Sequence, residues 1–140
     1  MTREELIAMF DRRRAAMADH DARALAADHA EESVLESPMA GTVRGRDVIE
    51  QVGRAFFAAF PDITSERDAL IIDGDRVVEV ETLRGTDTGG FMGMPPTQKA
   101  FAFPLVRLYT VRDGEIVHER RIYDFTGLLI QLGMLKAKPA

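Results

Sequence analysis

Alternation of apolar and polar positions predicts three long strands, Arg76 to Thr86, Ala100 to Arg112 and Glu115 to Phe125. Asp113-Gly114 separates the last two, and this dipeptide between apolar-rich runs signals a two-residue hairpin turn. Counting outward from the turn pairs Val111 with Ile116, Tyr109 with His118, Arg107 with Arg120, Leu105 with Ile122 and Phe103 with Asp124, all on one face. Leu108 with Glu119 and Val106 with Arg121 fall on the other. Two arginines would thus oppose each other, which destabilises a sheet unless carboxylates or a ligand compensate them.

Outside this region the period becomes helical. Thr2 to Glu5 fits a capping box, and the helix it opens runs to about Asp19 with Leu6, Met9, Phe10 and Met17 facing inward. Asp21 caps a short second helix through Asp28, and Ser33 to Ser37 reads as a strand. Asp47 to Phe60 carries the stripe Ile49, Val52, Phe56 and Phe60 before Pro61 stops it. A strand from about Ser65 to Ile72 turns at Asp73-Gly74 into the Arg76 strand, while Gly127 to Leu135 forms a last helix ahead of a frayed tail at 136–140. The connection from Gly85 to Lys99 exceeds a hairpin loop, and its Phe91, Met92 and Met94 are expected to fold back over an apolar surface, as a lid on the pocket mouth or as part of a subunit contact, the lid being the leading expectation. Arg12, Arg13 and Arg14 read as a solvated helix face, and His20 and His29 as residues near helix ends.

Composition narrows the class. With 140 residues, 46% hydrophobic and 29% charged, the chain suits one globular domain over 1–140. The absence of cysteine excludes disulfides and thiolate chemistry, and a net charge of -5 argues against nucleic acid as a partner. No apolar run is long enough to span a bilayer and the N-terminus lacks an apolar signal region, so the expectation is a cytoplasmic protein with no membrane partner. Three scattered histidines lack ligand spacing and no phosphate- or dinucleotide-binding glycine pattern occurs, so neither metal nor cofactor is expected.

The segments Ala59-Phe60-Pro61-Asp62, Arg84-Gly85-Thr86, Gly93-Met94-Pro95-Pro96-Thr97, Asp113-Gly114-Glu115-Ile116-Val117 and Tyr123-Asp124-Phe125-Thr126-Gly127-Leu128-Leu129 occur in order along the chain. Together they resemble the SnoaL-like polyketide cyclase family of the nuclear transport factor 2-like superfamily. The resemblance implies an α+β fold, a cone-shaped barrel of a strongly curved, mainly antiparallel sheet packed on three helices from the N-terminal half. It also implies homodimers through the outer sheet face and a pocket that supports aldol cyclisation, isomerisation, epoxide hydrolysis or ligand binding alone. The family's pocket aspartate falls on Asp124, and similarity to the superfamily's epoxide hydrolases points to Glu81. Two positions depart from the pattern: Asp87 stands where family members often carry histidine, and Glu119-Arg120 where they carry His-Trp.

The leading expectation is a cofactor-independent acid/base enzyme acting on a hydrophobic carbonyl compound, resembling polyketide ester cyclases that catalyse intramolecular aldol condensation. The alternatives are a noncatalytic ligand-binding or dimerisation module, and an isomerase or epoxide hydrolase. Asp124 is the expected acid or base, with Glu81, Arg107 and Arg120 as further catalytic candidates. Arg120 would pair with Glu79 or Glu81, leaving Arg107 for an anionic substrate tail, and the same four groups could equally form an ion-pair network that only joins strands. The expected pocket lining is Phe10, Met17, Phe56, Phe91, Met92, Met94, Phe103, Leu105, Tyr109, His118 and Ile122. An apolar outer face of Val106, Leu108, Val117 and Tyr123 predicts a homodimer.

Overall fold

The computed structural model describes residues 1–136. Of the expected tail at 136–140, everything after Lys136 lies outside the described residues. The elements are α1 (Arg3–Ala18), α2 (Ala22–Ala27), β1 (His29–Ser37), β2 (Gly41–Arg44), α3 (Arg46–Ala59), β3 (Thr64–Asp73), β4 (Arg76–Thr86), β5 (Ala100–Arg112), β6 (Glu115–Ile122) and α4 (Phe125–Gln131). The six strands form one sheet in the order β2-β1-β6-β5-β4-β3. Every neighbouring pair is antiparallel except β1 with β6. The α+β architecture is as expected, with a mixed sheet that stays open between its edges β2 and β3. Among the described residues no helix is long and apolar enough to cross a membrane.

Local chemistry sets the element ends. Thr2 Oγ1 accepts from the Glu5 N–H and Glu5 Oε1 from the Thr2 N–H, closing the capping box of α1. Leu6, Met9, Phe10, Arg13 and Met17 form its buried stripe. The β6 strand ends three residues earlier than the alternation predicts, because Asp124 turns its carboxylate onto the Gly127 N–H and caps α4.

One irregularity governs the inner face. Arg112 pairs with Glu115 and Val111 with Ile116 as the Asp113-Gly114 turn requires, but a bulge then adds one residue to β6. Thr110 consequently pairs with His118, Tyr109 with Glu119, Leu108 with Arg120 and Arg107 with Arg121. Because side chains alternate, this single insertion exchanges the two faces of β6 beyond it. Glu119 and Arg121 turn inward, while His118 and Arg120 turn outward.

The interior has two apolar clusters separated by charge. Phe60, Leu83, Phe91, Phe101, Phe103, Leu105, Leu128 and Leu132 belong to one, and Leu6, Met9, Phe10, Val77, Tyr109, Val111 and Ile116 to the other. Between Val77 and Leu83 the inward positions of β4 are Glu79 and Glu81, and between Leu105 and Tyr109 that of β5 is Arg107. The core thus has a polar waist.

Candidate active site

A cavity occupies this waist, with about 60 Å³ in which the centre of a water molecule fits. Glu79, Glu81, Arg107, Tyr109, Glu119 and Arg121 line its sheet side, while Arg13, Arg14, Met17, Leu25, His29, Phe56 and Phe57 contribute to the wall opposite and around it. The alternation of β4 and β5 delivers the charged groups, and the bulge in β6 adds the last two.

Glu119 is the hub. Fully buried, it accepts through Oε2 from Arg107 Nη1 at 3.0 Å and from Arg121 Nε at 2.7 Å. Its Oε1 makes no hydrogen bond, with His29 Nε2 3.5 Å away. The His29 ring is anchored from its other nitrogen, Nδ1, by Ser33 Oγ at 2.9 Å. Burial alone would raise the Glu119 pKa, but the charges of Arg121 and Arg107 and the approach of His29 outweigh it and hold the carboxylate well below its usual range. Burial lowers His29, keeping the imidazole neutral.

Arg107 spans two carboxylates, giving Nε to Glu81 Oε2 at 3.1 Å and Nη1 to Glu119 Oε2. Glu81 is also bound by Arg14 Nη1 at 3.1 Å, so each of its oxygens has an arginine. Burial opposes ionisation of Glu81, yet Arg107 prevails and its pKa is lowered. Glu79 behaves differently. Its Oε2 accepts from Arg67 Nε at 3.0 Å, but burial and the adjacent Glu81 charge push its pKa up to about 7. Glu79 therefore exchanges a proton near neutrality while Glu81 stays ionised. Burial also pushes the Tyr109 hydroxyl up, so it stays a donor. Arg13 holds the Leu25 carbonyl and Asp28 Oδ2, both at 2.8 Å, and its guanidinium lies 5.6 Å from the Tyr109 ring centroid.

Several expected site residues stand elsewhere. Asp124, the expected pocket acid or base, is exposed and committed to the α4 cap instead of lining the cavity. Arg120 is exposed on the outer face, and His118 there meets Glu36 Oε2 at 2.6 Å, both consequences of the bulge. Ile122, paired with Val106, is 46% exposed. Arg107 does not pair with Arg120 and is bound by carboxylates on two sides rather than left free for a substrate tail.

Met17, Phe56 and Tyr109 line the cavity; Phe10, Phe91, Phe103 and Leu105 are packed into the apolar clusters instead. The long loop is no lid in this arrangement. Buried Asp87 staples it by accepting from the Gly90 and Thr97 N–H groups and the Thr97 hydroxyl. Gly89 crosses α3 so tightly that a Cβ would collide with the Ala58 carbonyl oxygen. Phe91 docks 5.0 Å from the Phe60 centroid, and Met92 and Met94 stay exposed.

Five ionisable groups of the cavity escaped the sequence reading, Arg121 among them, turned inward together with Glu119 by the bulge. Arg13 falls in line with Phe10 and Met17 at helical spacing, so the basic run is solvated at Arg12 but not at Arg13. Arg14, one position on, reaches Ser65 and Glu81. Glu119 was hidden by the bulge, and His29 by its position at the first residue of a strand that begins earlier than its apolar pattern. Among the described residues no group of three His, Cys, Asp or Glu side chains is placed to hold a metal ion.

Comparison with known proteins gives the fold and site a context. The sequence pattern of the family described as SnoaL-like polyketide cyclase matches residues 8–132. A 51-residue stretch is 43% identical to nogalonic acid methyl ester cyclase of Streptomyces nogalater, covering 36% of this chain and 38% of that enzyme. The structure of AclR, a proposed hydroxylase of Streptomyces galilaeus, superposes with a TM-score of 0.84 at 26% identity, covering 99% of this chain and 87% of AclR. IdmH, a proposed polyketide cyclase of Streptomyces antibioticus, is 32% identical with a TM-score of 0.71, over 85% of this chain and 91% of IdmH.

Proposed function

Because the chain belongs to the SnoaL-like polyketide cyclase family, we propose that it carries out cofactor-independent acid/base chemistry on a hydrophobic carbonyl compound, closing a ring by intramolecular aldol condensation. The observation that carries this reading is Glu79, a buried carboxyl on the cavity wall with a pKa pushed up to about 7. A general acid or base works best when its pKa lies near the working pH.

In this scheme the Glu79 carboxylate removes a proton from the carbon beside a carbonyl. The Tyr109 hydroxyl donates to the enolate oxygen, a contact that strengthens as negative charge develops there. The enolate carbon attacks a second carbonyl carbon of the same molecule, and Glu79 returns the proton to the new alkoxide. Glu81 and Glu119 remain ionised throughout, countering Arg14, Arg107 and Arg121 and holding their positive charges in place. The ligand is a small hydrophobic molecule held between this charged floor and the Met17, Leu25, Phe56 and Phe57 side chains of the opposite wall. A homodimer formed through the outer face of β5 and β6, where Val106 and Leu108 are half-buried, Ile122 is exposed and the bulge residue Val117 is half-buried, completes the proposal; Tyr123, expected on that face, is turned inward by the bulge and packs on Phe103 with ring centroids 5.2 Å apart.

Deuterium exchange at the α-carbon, followed over a panel of hydrophobic ketones and polyketide esters, tests the scheme. Glu79→Gln should lower the exchange rate by about a hundredfold or more. Equal rates in the two proteins would reject Glu79 as proton carrier, and ligand binding without exchange in the wild type would mark a binding module.

A further inference from the structure

Four arginines line the cavity, and they are not equally engaged. Arg13 gives hydrogen bonds to Leu25 O and Asp28, Arg14 to Ser65 and Glu81, and Arg107 to Glu81 and Glu119. Arg121 gives one, from Nε to Glu119 Oε2. Neither of its Nη groups has a hydrogen-bond partner among the described residues, and its side chain remains 21% exposed. With Nε committed, the two Nη groups leave the end edge of the guanidinium free, a fork that matches the two oxygens of a carboxylate.

The charge around it is also incompletely balanced. Glu119 Oε2 is shared by Arg107 and Arg121, so one carboxylate faces two guanidinium groups. Glu79, in the same cross-strand row as Arg107 and Arg121, carries only a fractional charge near neutrality.

We infer that the Nη edge of Arg121 binds a carboxylate of the ligand, so that the preferred substrate is an organic acid on a hydrophobic ring system rather than its ester or amide. This deepens the acid/base reading of the same cavity and rests on it for the choice of reacting end. Adjacent strands lie about 4.8 Å apart, which puts the backbones of Glu79 and Arg121 roughly 10 Å from each other. A ligand anchored at Arg121 therefore lies across Arg107 and beside Tyr109, and presents its other end to Glu79. Arg107, braced by two carboxylates, forms the middle of the floor and needs no ligand charge of its own.

Equilibrium titration calorimetry with anthraquinone-2-carboxylate and anthraquinone-2-carboxamide tests this without requiring turnover. The wild type should bind the carboxylate at least tenfold more tightly than the amide. Arg121→Gln should remove that preference and leave the amide affinity within twofold, Arg121→Lys should retain part of it, and thermal melts establish that both variants fold. Glu79→Gln should keep the preference, so a failure of the proton-transfer scheme stays separate from a failure of the anchor. Equal wild-type affinities, no binding of the carboxylate, or a preference that survives in Arg121→Gln would each overturn the inference.

Discussion

Glu79 Oε2 receives the Arg67 Nε hydrogen at 3.0 Å, and Arg67 is itself held by Asp11 Oδ1 at 2.7 Å and the Phe10 carbonyl at 3.0 Å. This brace occupies one oxygen of Glu79 and not the other, while the carboxyl lines the cavity. The raised pKa has a consequence for stability. An unfolded glutamate ionises near 4.5 and the folded one near 7, so between these values the folded state binds the extra proton. The Glu79 contribution is complete below pH 4.5 and is lost as pH rises through 7. Relative to wild type, Glu79→Gln should therefore gain on the order of 2–3 kcal/mol between about pH 4 and pH 8, measured by urea unfolding. A pH-independent difference would contradict this proton assignment.

Removing Arg107 leaves buried Glu81 with Arg14 alone and buried Glu119 with Arg121 as its one arginine. Arg107→Ala should cost about 3–5 kcal/mol, whereas Arg120→Ala on the outer face should stay within about 0.5 kcal/mol. Parallel urea titrations give both values, and similar costs would mean that Arg107 is not the bridge described.

The bulge can be read chemically, since the chain has no cysteine of its own. Leu108 and Arg120 are direct cross-strand partners. A Leu108→Cys/Arg120→Cys pair should oxidise to a disulfide, and an Arg107→Cys/Arg120→Cys pair, whose side chains leave opposite faces, should not. Mass spectrometry of the oxidised proteins distinguishes them, and the reverse result would restore the regular hairpin register.

The loop from Asp87 to Lys99 should matter for stability rather than for ligand capture. Asp87→Ala unpairs three donors and should cost about 2–3 kcal/mol, while Met92→Ser with Met94→Ser should leave ligand affinity unchanged. Weakened binding of apolar ligands in the double serine variant would reinstate a lid.

For the proposed homodimer, Leu108→Glu places a charge in the covered face and should convert a dimer to a monomer in light scattering. A wild-type protein that is monomeric at high micromolar concentration would remove the assembly.

The sequence disclosed the fold better than the site, and the reasons are local. Arg76–Thr86 and Ala100–Arg112 match β4 and β5 at both ends, because strict alternation is bounded there by Asp-Gly turns and glycine-rich chain. Alternation also put Glu79 and Glu81 on one face of β4, where burial and the Glu81 charge raise Glu79 while Arg107 holds Glu81 down. Asp113-Gly114 fixed the turn but carried no sign of the extra residue after Ile116, since Val117 and His118 continue the strand composition without a glycine. Everything counted past that point changed face, which moved Glu119 and Arg121 in and Arg120 out. Asp124 misled for another reason: alternation extended β6 over it, although aspartate is a favoured N-cap residue and it stands at the start of the last helix.

The parallel pairing of β1 with β6 joins the first strand of the chain to the last. Antiparallel hairpins can zip from their turns, but this contact must close a loop containing most of the protein. His29 and Glu119 meet across that seam, so the charged floor of the cavity cannot assemble from an N-terminal fragment that lacks β6. During synthesis β1 and β2 await a partner until β6 has been made, leaving one edge of β1 without its ladder and open to mispairing. The rate of forming the cavity should therefore follow the docking of this seam, the most non-local strand pairing in the sheet.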